Sequence, residues 1–191
     1  MKTRDIDIRL QLHINLKQEH LNDFDTLIID ELGLCQGDAR VDVAVVNGSI
    51  HGYEIKSDSD TLERLPGQID VYNKVLDSVT IVTGKCHSEG ILKLVPEWWG
   101  IEIAEKTNEN EIEFSLLRRE IPNPQIDPYS LVQLLWRDEA LDLLRRFELE
   151  KGYVSKPRNK IWEKLVESFS LEDLKYYVRE QLKLRKNWRA D

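Results

Sequence analysis

The sequence has little of several residue types that mark particular protein classes. It contains only two cysteines, Cys35 and Cys86, and they form no Cys-x-x-Cys pair, which excludes a structural zinc ribbon. Only 9 glycines and 6 prolines occur, and 32% of the residues are charged, so collagen-like, low-complexity and disordered classes are excluded too. No apolar run approaches the roughly 20 residues that a membrane helix needs, so we expect no contact with a membrane.

The first residues, Met1 to Asp5, lead into no apolar segment of the signal-peptide type. We therefore expect a cytoplasmic protein whose two cysteines are free thiols, because a reducing compartment disfavours disulfides. What the chain does contain is 41% hydrophobic residues over a length of 191, which is enough to bury a real core.

Charge is distributed unevenly along the chain, whose net charge is −8. Residues 1–150 contain 16 Lys/Arg and 29 Asp/Glu, a net of −13, whereas residues 151–191 contain 11 and 6, a net of +5. One interpretation of this split is an acidic centre that holds metal and a basic tail that holds phosphates. The alternative is a basic tail that docks on the acidic part.

Hydrophobic patterning predicts a mixed α/β part to about residue 120 and a helical part beyond a proline-containing linker. We accordingly expect two domains, residues 1–120 and 121–191. The predicted strands lie near 27–29, 41–46, 50–56, 79–82, 101–104 and 112–117, and the predicted helices lie at 66–76, 130–149 and 159–169 and from Ser170 onward. Residues 6–16 alternate between apolar and polar, as in a strand, but contain many good helix formers, so this segment is ambiguous.

Three acids and one lysine concentrate on the predicted strands: Glu31, Asp42, Glu54 and Lys56. Glu54 and Lys56 share a face, because strand side chains alternate with a period of two. A two-residue turn at Asn47 and Gly48 would place Asp42 and Glu54 on opposite faces of the hairpin, whereas a three-residue loop would place them side by side. The sequence leaves both loops open.

Two adjacent carboxylates repel each other unless a cation lies between them, and hard oxygen ligands suit Mg²⁺ or Mn²⁺. A lysine beside such an ion can orient an attacking water and stabilise charge on a phosphate. This equipment is suited to the hydrolysis of a phosphodiester, provided that the three-residue loop forms. The simpler interpretation is an ordinary salt bridge between Glu54 and Lys56.

Three segments together resemble the PD-(D/E)XK nuclease superfamily: Arg40-Val41-Asp42, Gly52 to Asp58 with its Glu-Ile-Lys core, and Gln68-Ile69-Asp70-Val71-Tyr72. The last is similar to the Gln-x-x-x-Tyr motif of its RecB-like branch, and Glu-Leu-Gly at Glu31 with Pro96 to Gly100 resembles a largely uncharacterised bacterial family within it. The resemblance covers residues 1 to about 85. It implies an α/β fold with a restriction-endonuclease-like αβββαβ core and a mixed sheet, and therefore a helix over residues 3–20.

The resemblance also implies roles for these residues. Asp42 and Glu54 would bind the metal ion, Mg²⁺ or Mn²⁺, with the Ile55 carbonyl as a third ligand and Glu31 as an accessory acid. Lys56 would act on the attacking water. Gln68 and Tyr72, one helical turn apart, would face the site and steady the nucleic-acid backbone.

Other residues are weaker candidates. The four histidines show no ligand spacing and are interpreted as surface or loop residues, and Trp98, Trp99, Trp136, Trp162 and Trp188 are interpreted as core residues. Basic side chains that could bind phosphates are Lys85, Arg118, Arg119, Lys183, Arg185, Lys186 and Arg189. The alternative for them is a solvated helix face.

We therefore expect a metal-dependent nuclease that acts on DNA. The alternatives are a non-catalytic module of the same fold that binds nucleic acid or a protein, and an accessory subunit that needs a partner chain; a homodimer is also compatible with the sequence.

Overall fold

The computed structural model describes residues 2–109 and 111–185. Seven α-helices and six β-strands occur in the described part of the chain. The helices are α1 Asp5–Glu19, α2 Leu65–Val75, α3 Ser88–Leu94, α4 Pro128–Val132, α5 Arg137–Arg146, α6 Arg158–Ser168 and α7 Leu171–Leu184. The strands are β1 Leu27–Leu34, β2 Ala39–Val46, β3 Ile50–Lys56, β4 Ser78–Gly84, β5 Gly100–Lys106 and β6 Ile112–Arg118.

The strands form one mixed sheet in the order β1-β2-β3-β4-β5-β6. Strands β1, β2 and β3 are an antiparallel meander, β4 and β5 run parallel to β3, and β6 returns antiparallel to β5. The parallel step from β3 to β4 requires a crossover, which α2 supplies. The predicted α/β class, mixed sheet and C-terminal helices are confirmed.

Helix α1 covers one face of the sheet and confirms the helix predicted over residues 3–20. Ile8, Leu12 and Leu16 are buried in a cluster with Val43, Ile55, Val82 and other sheet residues. The alternation arises because the helix has two rows of apolar residues, and within each row the residues are one turn apart. The first row is buried, and the second row is exposed: Ile6, Leu10 and Ile14.

Helices α2 and α4 to α7 pack together over the opposite face, in one cluster with residues of β1 to β5. Trp98, Trp99 and Trp162 are buried here, which confirms their interpretation as core residues, whereas Trp136 is 39% exposed. Trp188 lies outside the described residues. The division into domains at residue 120 stays a prediction.

The prediction of one continuous helix over residues 130–149 is wrong. The structure has two helices there, α4 and α5, separated by residues 133–136. The Glu139 carboxylate accepts a hydrogen bond from the Trp136 backbone N–H at 2.7 Å and thereby caps a new helix start.

Two further expectations can be compared with the described residues. Cys35 and Cys86 are both free, as expected. Among the described residues, no helix is long and apolar enough to cross a bilayer.

Candidate functional site

The hairpin register brings the three acids into one row across three neighbouring strands. Val46 pairs with Ile50, so residues 47–49 form the three-residue loop. This register places Asp42 opposite Glu54. On the other side of β2, the pairs Asp30–Val43 and Leu32–Val41 place Glu31 opposite Asp42. Neighbouring strands lie about 4.8 Å apart, so the three carboxylates belong to one local cluster.

The backbone at Glu31 departs from ordinary strand geometry. Its φ is +55°, in the left-handed region that is uncommon for residues other than glycine. Such strain persists only where surrounding structure enforces it, and it is found preferentially at functional sites. The interruption lies at the acid row, between two regularly paired stretches of β1.

Glu54 is the most deeply buried member of the row, with 1% of its surface exposed. Its Oε1 accepts hydrogen bonds from the Lys56 ammonium and, at 2.6 Å, from Gln68 Nε2, and its Oε2 accepts one from the Tyr72 hydroxyl at 2.5 Å. Burial raises the pKa of the Glu54 carboxyl, and the nearby Asp42 carboxylate raises it further, against the opposing effect of Lys56.

Asp42 is held by both its own hairpin and helix α1. The Ile55 backbone N–H donates to Asp42 Oδ2 at 2.7 Å, and Arg9 Nη2 donates to Oδ1 at 2.8 Å. Burial raises the pKa of the Asp42 carboxyl, although these two donors act in the opposite direction. Carboxyl groups whose pKa is shifted by burial and by neighbouring charges occur preferentially at functional sites.

Arg9 is the site residue that the sequence analysis missed. Its guanidinium also contacts Glu31 Oε1 at 3.1 Å and donates to the Asp42 carbonyl at 2.9 Å. Arg9 therefore supplies positive charge to two of the three acids. The available signal was the spacing of Asp5 and Arg9, which is i,i+4 on a helix and forms an ion pair at 3.4 Å.

Gln68 and Tyr72 lie one turn apart on α2 and both reach Glu54, so the structure places them together at the site. The Tyr72 hydroxyl also lies 2.7 Å from the Arg40 carbonyl. Burial, followed by the Glu54 carboxylate, raises the pKa of Tyr72, so its hydroxyl stays protonated and donates. Gln68 Oε1 is buried and has no hydrogen-bond partner among the described residues. A contact of Gln68 and Tyr72 with nucleic acid stays a prediction.

The acid row lines a cleft of about 670 Å³. Acidic side chains outnumber basic ones in its wall. The acids are Asp5, Glu31, Asp38, Asp42, Glu54, Asp60 and Glu63, and the bases are Arg40, Lys56 and Arg64. A polyanion would be repelled from such a wall unless a cation reduced its charge.

The donor types in this cleft fit a hard divalent cation. Asp42 and Glu54 offer carboxylates from adjacent strands, and the unpartnered Gln68 Oε1 is a further oxygen at the same place. In the described part of the chain, no group of three His, Cys, Asp or Glu side chains is arranged to hold a metal ion. Arg9 and Lys56 would compete with a metal ion for the Asp42 and Glu54 oxygens.

The predicted phosphate-binding residues are scattered in the structure. Arg118 lies in the same row as Glu54 but three strands away, and its guanidinium donates to the carbonyls of Trp99 at 2.7 Å and Pro96 at 2.8 Å. Arg119 follows at the end of β6 and is exposed. Lys85 is exposed and forms an ion pair with Glu105 at 2.8 Å.

The basic residues at the end of α7 contact carboxylates of this chain. Lys183 pairs with Asp25 at 2.8 Å, and Arg185 Nε donates to Glu139 at 2.8 Å. Lys186 and Arg189 lie outside the described residues. None of the described basic candidates lines the cleft, and their contact with phosphates stays a prediction.

Comparison with known proteins identifies the family of the chain. A family model described as "Bacteriophage P4 protein cII" matches residues 3–190, so the chain belongs to that family. Protein cII of Enterobacteria phage P4 is 26% identical over 161 residues, which cover 84% of this chain and 60% of the relative. The chain thus spans 60% of the length of that relative, whose name states no activity. No solved structure matches the chain.

Proposed function

We propose that this member of the bacteriophage P4 protein cII family is a metal-dependent nuclease that hydrolyses phosphodiester bonds of DNA. The observation that carries the proposal is the row formed by Glu31, Asp42 and Glu54, with Lys56 beside it, in the wall of one cleft. Carboxylates on adjacent strands with a buried lysine are the equipment that metal-assisted phosphodiester hydrolysis needs.

The order of elements supports the same proposal. Helix α1, the antiparallel strands β1 to β3, helix α2 and the parallel strand β4 follow one another as αβββαβ, the order implied by the resemblance to PD-(D/E)XK nucleases. Asp42 lies on β2, and Glu54 and Lys56 lie on β3, which agrees with the roles that the resemblance implies for them. Gln68 and Tyr72 on the crossover helix both touch Glu54.

Each residue then has a role. Asp42 and Glu54, with the Ile55 carbonyl, would hold Mg²⁺ or Mn²⁺, which supplies Lewis acidity and charge stabilisation at the phosphate. Lys56 orients the attacking water, whose oxygen forms the new bond to phosphorus as the 3′-oxygen leaves. Gln68 and Tyr72 fix the Glu54 carboxylate through hydrogen bonds, which limits the positions that it can adopt.

The test is incubation of the purified chain with plasmid, linear duplex and single-stranded DNA in Mg²⁺, Mn²⁺ or EDTA. We expect cleavage that EDTA abolishes and that Asp42→Asn and Lys56→Gln each reduce by at least about 100-fold. Lys93→Gln is the matched control, since it changes an exposed lysine on α3 and should keep full activity. Wild-type cleavage by both site variants, or cleavage in EDTA, would exclude the metal mechanism.

A second candidate function is a non-catalytic module that binds nucleic acid or protein. It is favoured by the contacts of the carboxylates, because Arg9 and Lys56 already neutralise Asp42 and Glu54 without a metal ion. Titration with Mn²⁺ separates the two functions. A nuclease binds Mn²⁺ at a saturable site, and Asp42→Asn abolishes this binding. A pure binding module shows no saturable Mn²⁺ site. An accessory subunit would bind Mn²⁺ and cleave only with its partner.

A further inference from the structure

The loop between α5 and α6 and the first turn of α6 form the most uniformly basic exposed segment of the described chain. Residues 151–160 read Lys-Gly-Tyr-Val-Ser-Lys-Pro-Arg-Asn-Lys and contain four basic residues and no acid. All ten are exposed except the half-buried Tyr153. We call residues 151–160 the basic loop.

Arg158 brings one end of the basic loop next to the rim of the cleft. The Arg158 guanidinium donates to the Gln36 side-chain carbonyl, and Gln36 Nε2 donates in turn to Gln133 at 3.2 Å. Gln36 directly precedes Gly37 and Asp38, which line the cleft. The loop is therefore anchored to the β1–β2 turn, next to the wall that contains the acid row.

The backbone of the basic loop is held in one conformation. Arg137 Nη2 donates to the carbonyls of Val154 at 2.6 Å and Lys156 at 3.2 Å. The Tyr153 N–H donates to the Glu150 carbonyl at 2.9 Å, and Gly152 has a φ of +85°, which favours glycine. A loop that is ordered before binding loses little conformational entropy when it meets a ligand.

Charge distinguishes this loop from the other basic residues. Lys183 on α7 pairs with Asp25, Arg185 just after α7 pairs with Glu139, and neither residue lines the cleft. In the loop, Lys160 pairs with Glu163 at 2.6 Å, but both side chains are about half exposed, and such surface pairs exchange readily for other partners. Lys151 and Lys156 make no side-chain hydrogen bond or ion pair with any described residue.

We propose that the basic loop binds the phosphate backbone of a nucleic acid and holds it against the rim of the acidic cleft. The proposal deepens the proposed function, because it names the surface through which a polyanion reaches a site whose wall repels it. Phosphate contacts through lysine and arginine position a strand without selecting its sequence. The same loop would serve the non-catalytic module.

The experiment measures the affinity of the full chain for a fluorescent DNA duplex in EDTA, where no cleavage occurs, against salt concentration. The loop variant combines Lys151→Gln, Lys156→Gln, Arg158→Gln and Lys160→Gln. The control variant removes the same charge from four exposed residues elsewhere, with Arg4→Gln, Lys17→Gln, Lys74→Gln and Lys93→Gln. A double variant, Lys151→Gln with Lys156→Gln, removes two loop charges and no described contact.

We expect the loop variant to bind at least about tenfold more weakly at 50 mM salt. Its log–log salt slope should flatten by roughly 0.9 for each phosphate that the protein no longer neutralises. The double variant should show about half of the change in slope, and the control variant should bind nearly as wild type. Equal reductions of affinity in the loop and control variants, or wild-type binding by the double variant, would overturn the proposal.

The result is separable from the nuclease proposal. Binding through the loop without cleavage in Mg²⁺ or Mn²⁺ supports the basic loop and excludes the nuclease. Metal-dependent cleavage with wild-type affinity in the loop variant supports the nuclease and excludes the basic loop.

Discussion

At the scale of single residues, the most informative position is Arg9, because it joins helix α1 to the acid row. The guanidinium reaches Asp42 and Glu31 and leaves 18% of its side chain exposed. Removal of one partner from a half-buried ion pair leaves the other carboxylate unpaired, which is usually costlier than the pair is stabilising.

We expect Arg9→Gln to lower the free energy of unfolding by about 1–3 kcal/mol, measured by urea denaturation. Lys17→Gln, on an exposed position of the same helix, should change it by less than about 0.5 kcal/mol. If Arg9→Gln and Lys17→Gln behave alike, the contacts of Arg9 with the acid row contribute nothing measurable to stability.

His51 corrects the interpretation of the histidines as surface or loop residues. It lies within β3, its ring stacks on Tyr53 at a centroid distance of 4.3 Å, and its Nε2 lies 2.9 Å from Thr80 Oγ1. Burial lowers the pKa of His51 from 6.5 to about 4. The unfolded chain therefore binds more protons than the folded chain between these two values.

Stability should accordingly fall as the pH decreases from about 6.5 to about 4, because the folded state resists protonation of His51. We expect this group to account for about 2.5 kcal/mol of the decrease. His51→Gln should show a shallower dependence on pH in this window. Leu10→Gln, which introduces the same side chain at an exposed position of α1 and removes no titratable group, is the control and should keep the wild-type dependence. Parallel curves for wild type and His51→Gln would contradict the assignment.

At the scale of elements, most strand positions followed from β-branched runs and turn residues, and β3 has the predicted bounds 50–56. Helix α1 did not follow from its own residues. Its two apolar rows, one buried and one exposed, produce an alternation that periodicity alone does not separate from a strand, and the good helix formers in the segment left it ambiguous. The break between α4 and α5 was also missed, since it depends on the contact of the Glu139 side chain with the Trp136 N–H.

The crossing of α2 over the sheet depends on close packing at Gly52. A Cβ built at Gly52 would lie 2.5 Å from Leu76 Cδ1 and 3.1 Å from Val41 Cγ2, so a side chain there must displace buried neighbours. We expect Gly52→Ala to destabilise the fold by about 1–3 kcal/mol in thermal or urea unfolding.

The matched control is Gly67→Ala, on α2 itself, where a Cβ meets nothing within 4 Å. This change should stabilise the protein by about 0.5–1 kcal/mol, because alanine loses less backbone entropy than glycine in a helix. A stabilising effect of Gly52→Ala would show that the sheet and α2 adapt more easily than the packing indicates.

At the scale of the whole molecule, the sequence was sufficient to predict the acid row but not the basic residues around it or their partners. The order of the motifs was sufficient to place Asp42 and Glu54 together once the three-residue loop formed. Net charge could not reveal which basic residues form ion pairs within the chain, because the partners can be far apart in sequence. Lys183 and Asp25, which form such a pair, are 158 residues apart. The basic loop was hidden for the same reason, since only the fold brings residue 158 to the β1–β2 turn.

The two hydrogen bonds from Arg137 to the carbonyls of Val154 and Lys156, which we call the Arg137 clamp, have a consequence for proteolysis. Trypsin cuts after lysine and arginine, and the segment offers it four such bonds, although Pro157 protects the bond after Lys156. A protease must draw several residues into an extended strand, so a clamped loop is cut only as often as it opens locally. We expect slow nicking of the native chain at Lys151 and Arg158 and faster nicking in Arg137→Ala, followed by mass spectrometry. Equal nicking rates in the two proteins would mean that the clamp leaves the loop as open as an ordinary surface segment.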